Sequence, residues 1–268
     1  MLASTETIVN LLIISLSLAC LGTLIFKGLL TERTLKLGPI RNPGFSQAIF
    51  ARGALLSVAY VVLVVISRES NSMAFAMLVS LLPFAVIGLA IGRCTNVLGG
   101  LRVVGLLPRQ PMRDLKWCAI AIPITLLFSW SVGLIAMKLS MRYGLRISPG
   151  GHDTLVDLLK HFSAAKLLLV FVSAVVMAPL IEELVFRGVM QTSLLHVFGM
   201  SRWAAMLYTA TLFSLTHAWV VPWQNLITLF VLGLVFGYLY ERTGSLLVPI
   251  LTHAGFNAAN IVIALSLP

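Results

Sequence analysis

Glu182, Glu183 and Arg187 stand close together in the stretch P-L-I-E-E-L-V-F-R-G, within an otherwise apolar run. Further along, F-S-L-T-H carries Phe213 and His217, and H-A-G-F-N carries His253 and Asn257. On helices, Glu183 and Arg187, Phe213 and His217, and His253 and Asn257 are i,i+4 pairs, so each pair shares a face. An ionised group inside a bilayer is costly unless it is paired or faces a polar cavity, so these charges need a reason. A carboxylate and an imidazole flanking one water can remove its proton and later deliver a proton to a leaving amine. A second imidazole and an amide can hydrogen-bond a developing oxyanion, which completes the parts of a peptide-bond hydrolase. Arg187 is expected to pair with Glu183 or to cap exposed carbonyls, holding the site together.

The same residues admit a metal. Glu182 or Glu183 with His217 and His253 is a common set of ligands for a catalytic zinc with one open position. The sequence has no compact H-E-x-x-H helix, and Asn257 suits an oxyanion donor better than a zinc ligand. The reading without a cofactor is therefore preferred, with zinc as the alternative. Other nucleophiles are poorly provided for. Asp114, Asp153 and Asp157 fall in predicted loops, there is no G-x-S-x-G elbow, and Cys20, Cys94 and Cys118 read as packing residues.

These groups need elements that carry them to a common depth. The chain is 59% hydrophobic and 10% charged, which excludes a soluble globule. Apolar runs of ~20 residues match the ~30 Å hydrocarbon thickness and predict an all-α, multi-pass protein of the cell membrane with about eight transmembrane helices. The expected spans are 8–30, 53–67, 74–92, 117–139, 166–198, 203–221, 223–241 and 245–267, the first a retained helix rather than a cleaved leader. Basic residues concentrate in the loops 31–52 and 93–116, so the +10 charge reads as orientation in an anionic bilayer, with those loops cytoplasmic, and not as nucleic-acid binding. Asp153 is expected to cap a short surface helix with Leu155, Val156, Leu159 and Phe162 on one face. His152, His161 and His196 fall at interfaces and receive no role.

The run 166–198 would be roughly 50 Å long as a helix, more than a membrane needs, and Pro179 offers a bend. Measured from the loop around Gly199, Glu182 lies roughly 24 Å and His217 roughly 25 Å along their helices; from Gly244, His253 lies roughly 13 Å and Asn257 roughly 20 Å in. All can therefore converge below one face. Gly233 and Gly237 form a G-x-x-x-G step that lets the intervening helix approach a neighbour closely.

The ordered set E-E-L-V-F-R, F-S-L-T-H and H-A-G-F-N resembles the CPBP intramembrane proteases, the CAAX protease and bacteriocin-processing family. The stretch 225–237 and G-S-L-L-V-P from Gly244 to Pro249 are also similar to the family, and V-G-L-L-P-R-Q-P-M-R-D-L from Val104 to Leu115 resembles it more weakly. The resemblance implies an eight-helix membrane endopeptidase with residues 1–103 as an accessory layer and 104–268 as the protease core. It further implies that Glu182 and His217 activate water, that His253 and Asn257 form the oxyanion hole, and that Glu183 and Arg187 support the site. The implied partners are the bilayer and a peptide or protein substrate, CAAX-like or bacteriocin-like. The rivals are a proteolytically silent immunity or scaffold protein and a transporter using the buried Glu and His residues.

Overall fold

In hydrocarbon every backbone N–H and C=O must find its partner within the protein, and helices do this along a single segment. The computed structural model describes residues 5–35, 105–107, 110–145, 163–196, 198–218 and 221–266, with residues 55, 59, 62 and 66. Among the described residues there are helices and no strand. They are α1 (Thr5–Phe26), α2 (Glu32–Leu35), α3 (Pro111–Arg142), α4 (164–196), α5 (Arg202–Leu215), α6 (Trp223–Thr243) and α7 (Leu247–Ser266). By length and apolar character α1, α3, α6 and α7 can each cross a membrane, as expected of an all-α, multi-pass protein. The spans expected at 53–67 and 74–92, the boundary at 103/104 and the surface helix after Asp153 lie outside the described residues, apart from the isolated positions above.

Several boundaries differ from expectation; α1 ends at Phe26 rather than at position 30, and α3 runs on to Arg142 rather than stopping at 139. α3 begins at Pro111 rather than Trp117, because proline is pre-organised for the first helical turn. Asp114 is consequently no loop residue; it sits buried in that first turn, where the helix dipole favours an acid. α5 stops at Leu215, and His217 lies in the turn that follows, its N–H bonded to the Ser214 carbonyl at 3.0 Å.

α4 is one rod built from Ala164–Phe171, Val172–Met177, Ala178–Glu183, Leu184–Gln191 and Thr192–His196. Val172–Met177 and Leu184–Gln191 are wide, π-helical turns. Pro179 has no N–H and its ring crowds the carbonyl of the preceding turn; the first wide turn absorbs this by letting the Ala178 N–H reach Ser173. Such turns leave carbonyls to be satisfied from elsewhere. Ala174 O accepts from Asn257 Nδ2 at 2.7 Å, and Arg187 O from Thr192 Oγ1 at 3.0 Å.

α6 lies hard against α5 and α4. A Cβ on Gly233 would come within 2.9 Å of Ala210 Cα, and one on Gly237 within 2.9 Å of Gln191 Oε1, so the G-x-x-x-G step brings the helices together as anticipated. Val185, Phe186, Met190 and Phe213 form the core between α4 and α5. α1 packs on α3 through Ser17 and Ser131, whose hydroxyls are 2.6 Å apart, and leaves Ile8, Leu12, Leu16 and Ile25 exposed on a face suited to lipid. The segment after α1 is tied to the core by Trp203 Nε1 donating to Leu30 O and Tyr238 OH donating to Leu29 O, each at 3.1 Å.

Candidate active site

Glu183 and Arg187 lie one turn apart on α4 and are both fully buried, with Arg187 Nη1 donating to Glu183 Oε1 at 2.9 Å. Arg187 Nη2 donates to Gly233 O at 3.0 Å, a carbonyl brought within reach by the close approach of α6. Phenyl rings enclose the guanidinium: its Cζ is 4.8 Å from the centroid of Phe213, 5.4 Å from Phe236 and 5.8 Å from Phe186. Their π faces offset part of the cost of burying the cation.

His253 arrives from α7. Its Nδ1 is 3.1 Å from Glu183 Oε1, the oxygen that also accepts from Arg187. The imidazole stacks on Phe236, with centroids 4.8 Å apart and planes 21° apart, and meets the edge of Phe213 at 6.0 Å. On its other side, Nε2 is 4.0 Å from Glu182 Oε2, beyond hydrogen-bonding distance. Glu182 is the open member of the carboxylate pair, its side chain 21% exposed against 0% for Glu183. Consecutive helical residues point about 100° apart, so one carboxylate faces the packed interior while the other stays partly exposed.

His217 approaches Phe213 from the end of α5, with ring centroids 5.2 Å apart. Its Nδ1 is 2.9 Å from Phe213 O and 3.1 Å from Thr216 Oγ1. Among the described residues Nε2 has no hydrogen-bond partner, and no hydrogen bond joins His217 to Glu182. Asn257 lies one turn beyond His253 and spends one amide hydrogen on Ala174 O, leaving a second N–H. Glu182, Glu183, Arg187 and His253 thus form one cluster, and Phe213 is the ring against which both His217 and His253 rest.

The donor set does not close around a metal. Among the described residues no three His, Cys, Asp or Glu side chains are grouped as ligands, and Glu182, His217 and His253 are not gathered at one point. A partly exposed carboxylate beside an imidazole, with a second imidazole and an amide on neighbouring elements, supplies groups that can move protons and hold an oxyanion.

A second polar network went unread in the sequence. Gln191, one turn after Arg187, donates from Nε2 to Gly237 O at 3.2 Å and to Glu241 Oε1 at 3.0 Å, and Arg202 pairs with Glu241. Thr209 Oγ1 donates to Gln191 Oε1 at 3.4 Å. The signal was present as spacing, since Gln191 follows Arg187 and Glu241 follows Gly237 by one turn each, extending the same two stripes. Glu241 and Arg202 read as residues of span ends, and nothing in composition pairs them.

Residues 164–259 match the family model described as type II CAAX prenyl endopeptidase Rce1-like. A curated Escherichia coli protein, described as an uncharacterized 24.3 kDa protein, is 34% identical over 94 residues, which cover 34% of this chain and 42% of that protein. The chain thus spans less than half the length of this curated relative. No solved structure matches.

Proposed function

We propose, from the match of residues 164–259 to the type II CAAX prenyl endopeptidase Rce1-like model, that the protein is an intramembrane endopeptidase of the CPBP, or CAAX protease, family that hydrolyses a peptide bond with a water activated by Glu182 and His217. The observation that carries this reading is the meeting of Glu182, Glu183 and Arg187 from α4 with His253 from α7 in one buried cluster, beside the ring that holds His217. A structural ion pair would explain Glu183 and Arg187 alone. It would not explain a second, partly exposed carboxylate facing an imidazole nitrogen.

Glu182 is the carboxylate that meets water, because Glu183 is sealed from it. Glu182 takes a proton while His217 Nε2, unoccupied within the described residues, holds the water in line. His253 and the second N–H of Asn257 face the oxyanion, and the proton held at the site is delivered to the leaving amine. Glu183 and Arg187 hold His253 and α6 in place. Among the described residues no donor set closes around a metal, so each step is assigned to side chains. The substrate is a peptide segment presented at the bilayer, CAAX-like or bacteriocin-like.

The test is cleavage in reconstituted vesicles. Prenylated and unprenylated membrane-anchored peptides are incubated with the protein and the products identified by mass spectrometry. Glu182→Gln and His217→Ala, at equal folded levels, are expected to lower the rate by about 10²–10⁴-fold. Undiminished product from both variants overturns the assignment, and solute flux without any peptide product favours a transporter.

A further inference from the structure

One oxygen of Glu183 serves two donors. Oε1 receives Arg187 Nη1 at 2.9 Å and lies 3.1 Å from His253 Nδ1. An atom already accepting from a guanidinium is an acceptor toward its other neighbour as well, so His253 must bring a hydrogen on Nδ1. A proton on Glu183 itself would sit on Oε2 and leave this contact unchanged. The ring has little freedom to choose otherwise: it is stacked on Phe236 and flanked by Phe213, and turning it over would set a C–H against Glu183. Only Nε2 remains for chemistry, and it faces Glu182 Oε2 at 4.0 Å.

We propose that Glu183 is the positioning residue that fixes His253 as the Nδ1–H tautomer, so that Nε2 enters the reaction as a proton acceptor and becomes an oxyanion donor only after receiving a proton from Glu182. The second half rests on the endopeptidase reading; the tautomer does not. As the water oxygen bonds to the carbonyl carbon, its O–H bond breaks and the proton passes to Glu182 Oε2. That O–H bond then breaks as an N–H bond forms on His253 Nε2, and the new N–H donates to the oxyanion. When the C–N bond breaks, the proton leaves on the amine nitrogen, so water and peptide are the only reactants consumed.

The charged groups around His253 support this assignment. Glu182 and Glu183 face it from α4, with Arg187 behind Glu183, while α5 and α6 present Phe213 and Phe236. His217 differs in kind: its Nδ1 meets the neutral Phe213 carbonyl and the Thr216 hydroxyl, which fix a ring without holding a charge. His253 therefore has a carboxylate beside each ring nitrogen, whereas the hydrogen-bond partners of His217 are a carbonyl and a hydroxyl.

The test is nitrogen NMR of the full-length protein in lipid nanodiscs with ring-labelled histidine, the His253 signals being assigned by their loss in His253→Gln. The wild type is expected to carry hydrogen on Nδ1 whether the ring is neutral or charged. Glu183→Gln keeps it there, because Arg187 holds the amide oxygen at the Oε1 position, and Glu183→Leu moves it to Nε2 in most neutral rings. A bare Nδ1 in the wild type overturns the proposal, and that spectrum decides even where Glu183→Leu fails to fold. In cleavage, Glu183→Leu, which removes the acceptor, is expected to lower kcat by about 10–100-fold, the range for partners that orient a reacting group, with KM unchanged, and to lower it further than Glu183→Gln does. A raised KM at wild-type kcat overturns the positioning role. If the wild type shows the expected tautomer and cleaves nothing, the proton transfer falls with the endopeptidase reading while the tautomer stands.

Discussion

Removing Arg187 and Glu183 separately and together tests whether the buried pair is one unit. Arg187→Met leaves Glu183 fully buried with only His253 as partner, and breaking a buried ion pair from one side costs about 3–5 kcal/mol. The guanidinium also lies 4.8 Å from the Phe213 centroid, a contact worth about 2 kcal/mol when desolvated, part of which a Met thioether recovers. Glu183→Leu strands Arg187 in the same way, at about 3–5 kcal/mol. The double variant leaves neither charge unpaired, and replacing a whole buried pair by apolar groups is often neutral or stabilising by about 1–4 kcal/mol. Reversible unfolding in mixed micelles should therefore find both single variants poorly stable and the double variant close to wild type. Cleavage should not return with stability, because His253 has lost the acceptor for its Nδ1. A double variant as unstable as the two single losses added together would refute the reasoning, and so would a stable double variant of wild-type activity.

Gly233→Ala would set a methyl 2.9 Å from Ala210 Cα, so α6 must move off α5 and draw Gly233 O away from Arg187. A stability loss of about 1–3 kcal/mol is expected in the same assay. Asn257→Ala should lower kcat by about 10²–10³-fold with little change in KM, the loss of one oxyanion donor, measured by steady-state cleavage. Because no donor set closes around an ion among the described residues, cleavage should survive exhaustive chelation; loss restored by added zinc would contradict this.

The residues of the candidate site were legible because their spacing is regular. Glu183 with Arg187 and His253 with Asn257 each declare a helical face, and Gly233 with Gly237 declares a close approach. What spacing does not give is the partner across the interface. The contact of Arg187 with Gly233 O depends on how α6 seats against α4, and that is settled by packing of Gly233 on Ala210. The difference between Glu182 and Glu183 was equally hidden, since adjacent, chemically identical residues separate only when the helix turns one of them inward. Pro179 signalled an irregularity but not its form: the structure answers with a wide turn, whose Ala174 carbonyl then holds Asn257. His217 read as helical because Phe213 precedes it by one turn, whereas α5 ends at Leu215 and His217 sits in the turn that follows.

The most direct measurement of the central claim is a structure of the protein with a peptide phosphinate that mimics the tetrahedral intermediate. One phosphinate oxygen should lie within hydrogen-bond distance of Glu182 and of His217 Nε2, and the other should face Asn257 Nδ2 and His253 Nε2. Glu182 and His217 separated by more than one bridging water in that complex, or an inhibitor seated away from both, would contradict it.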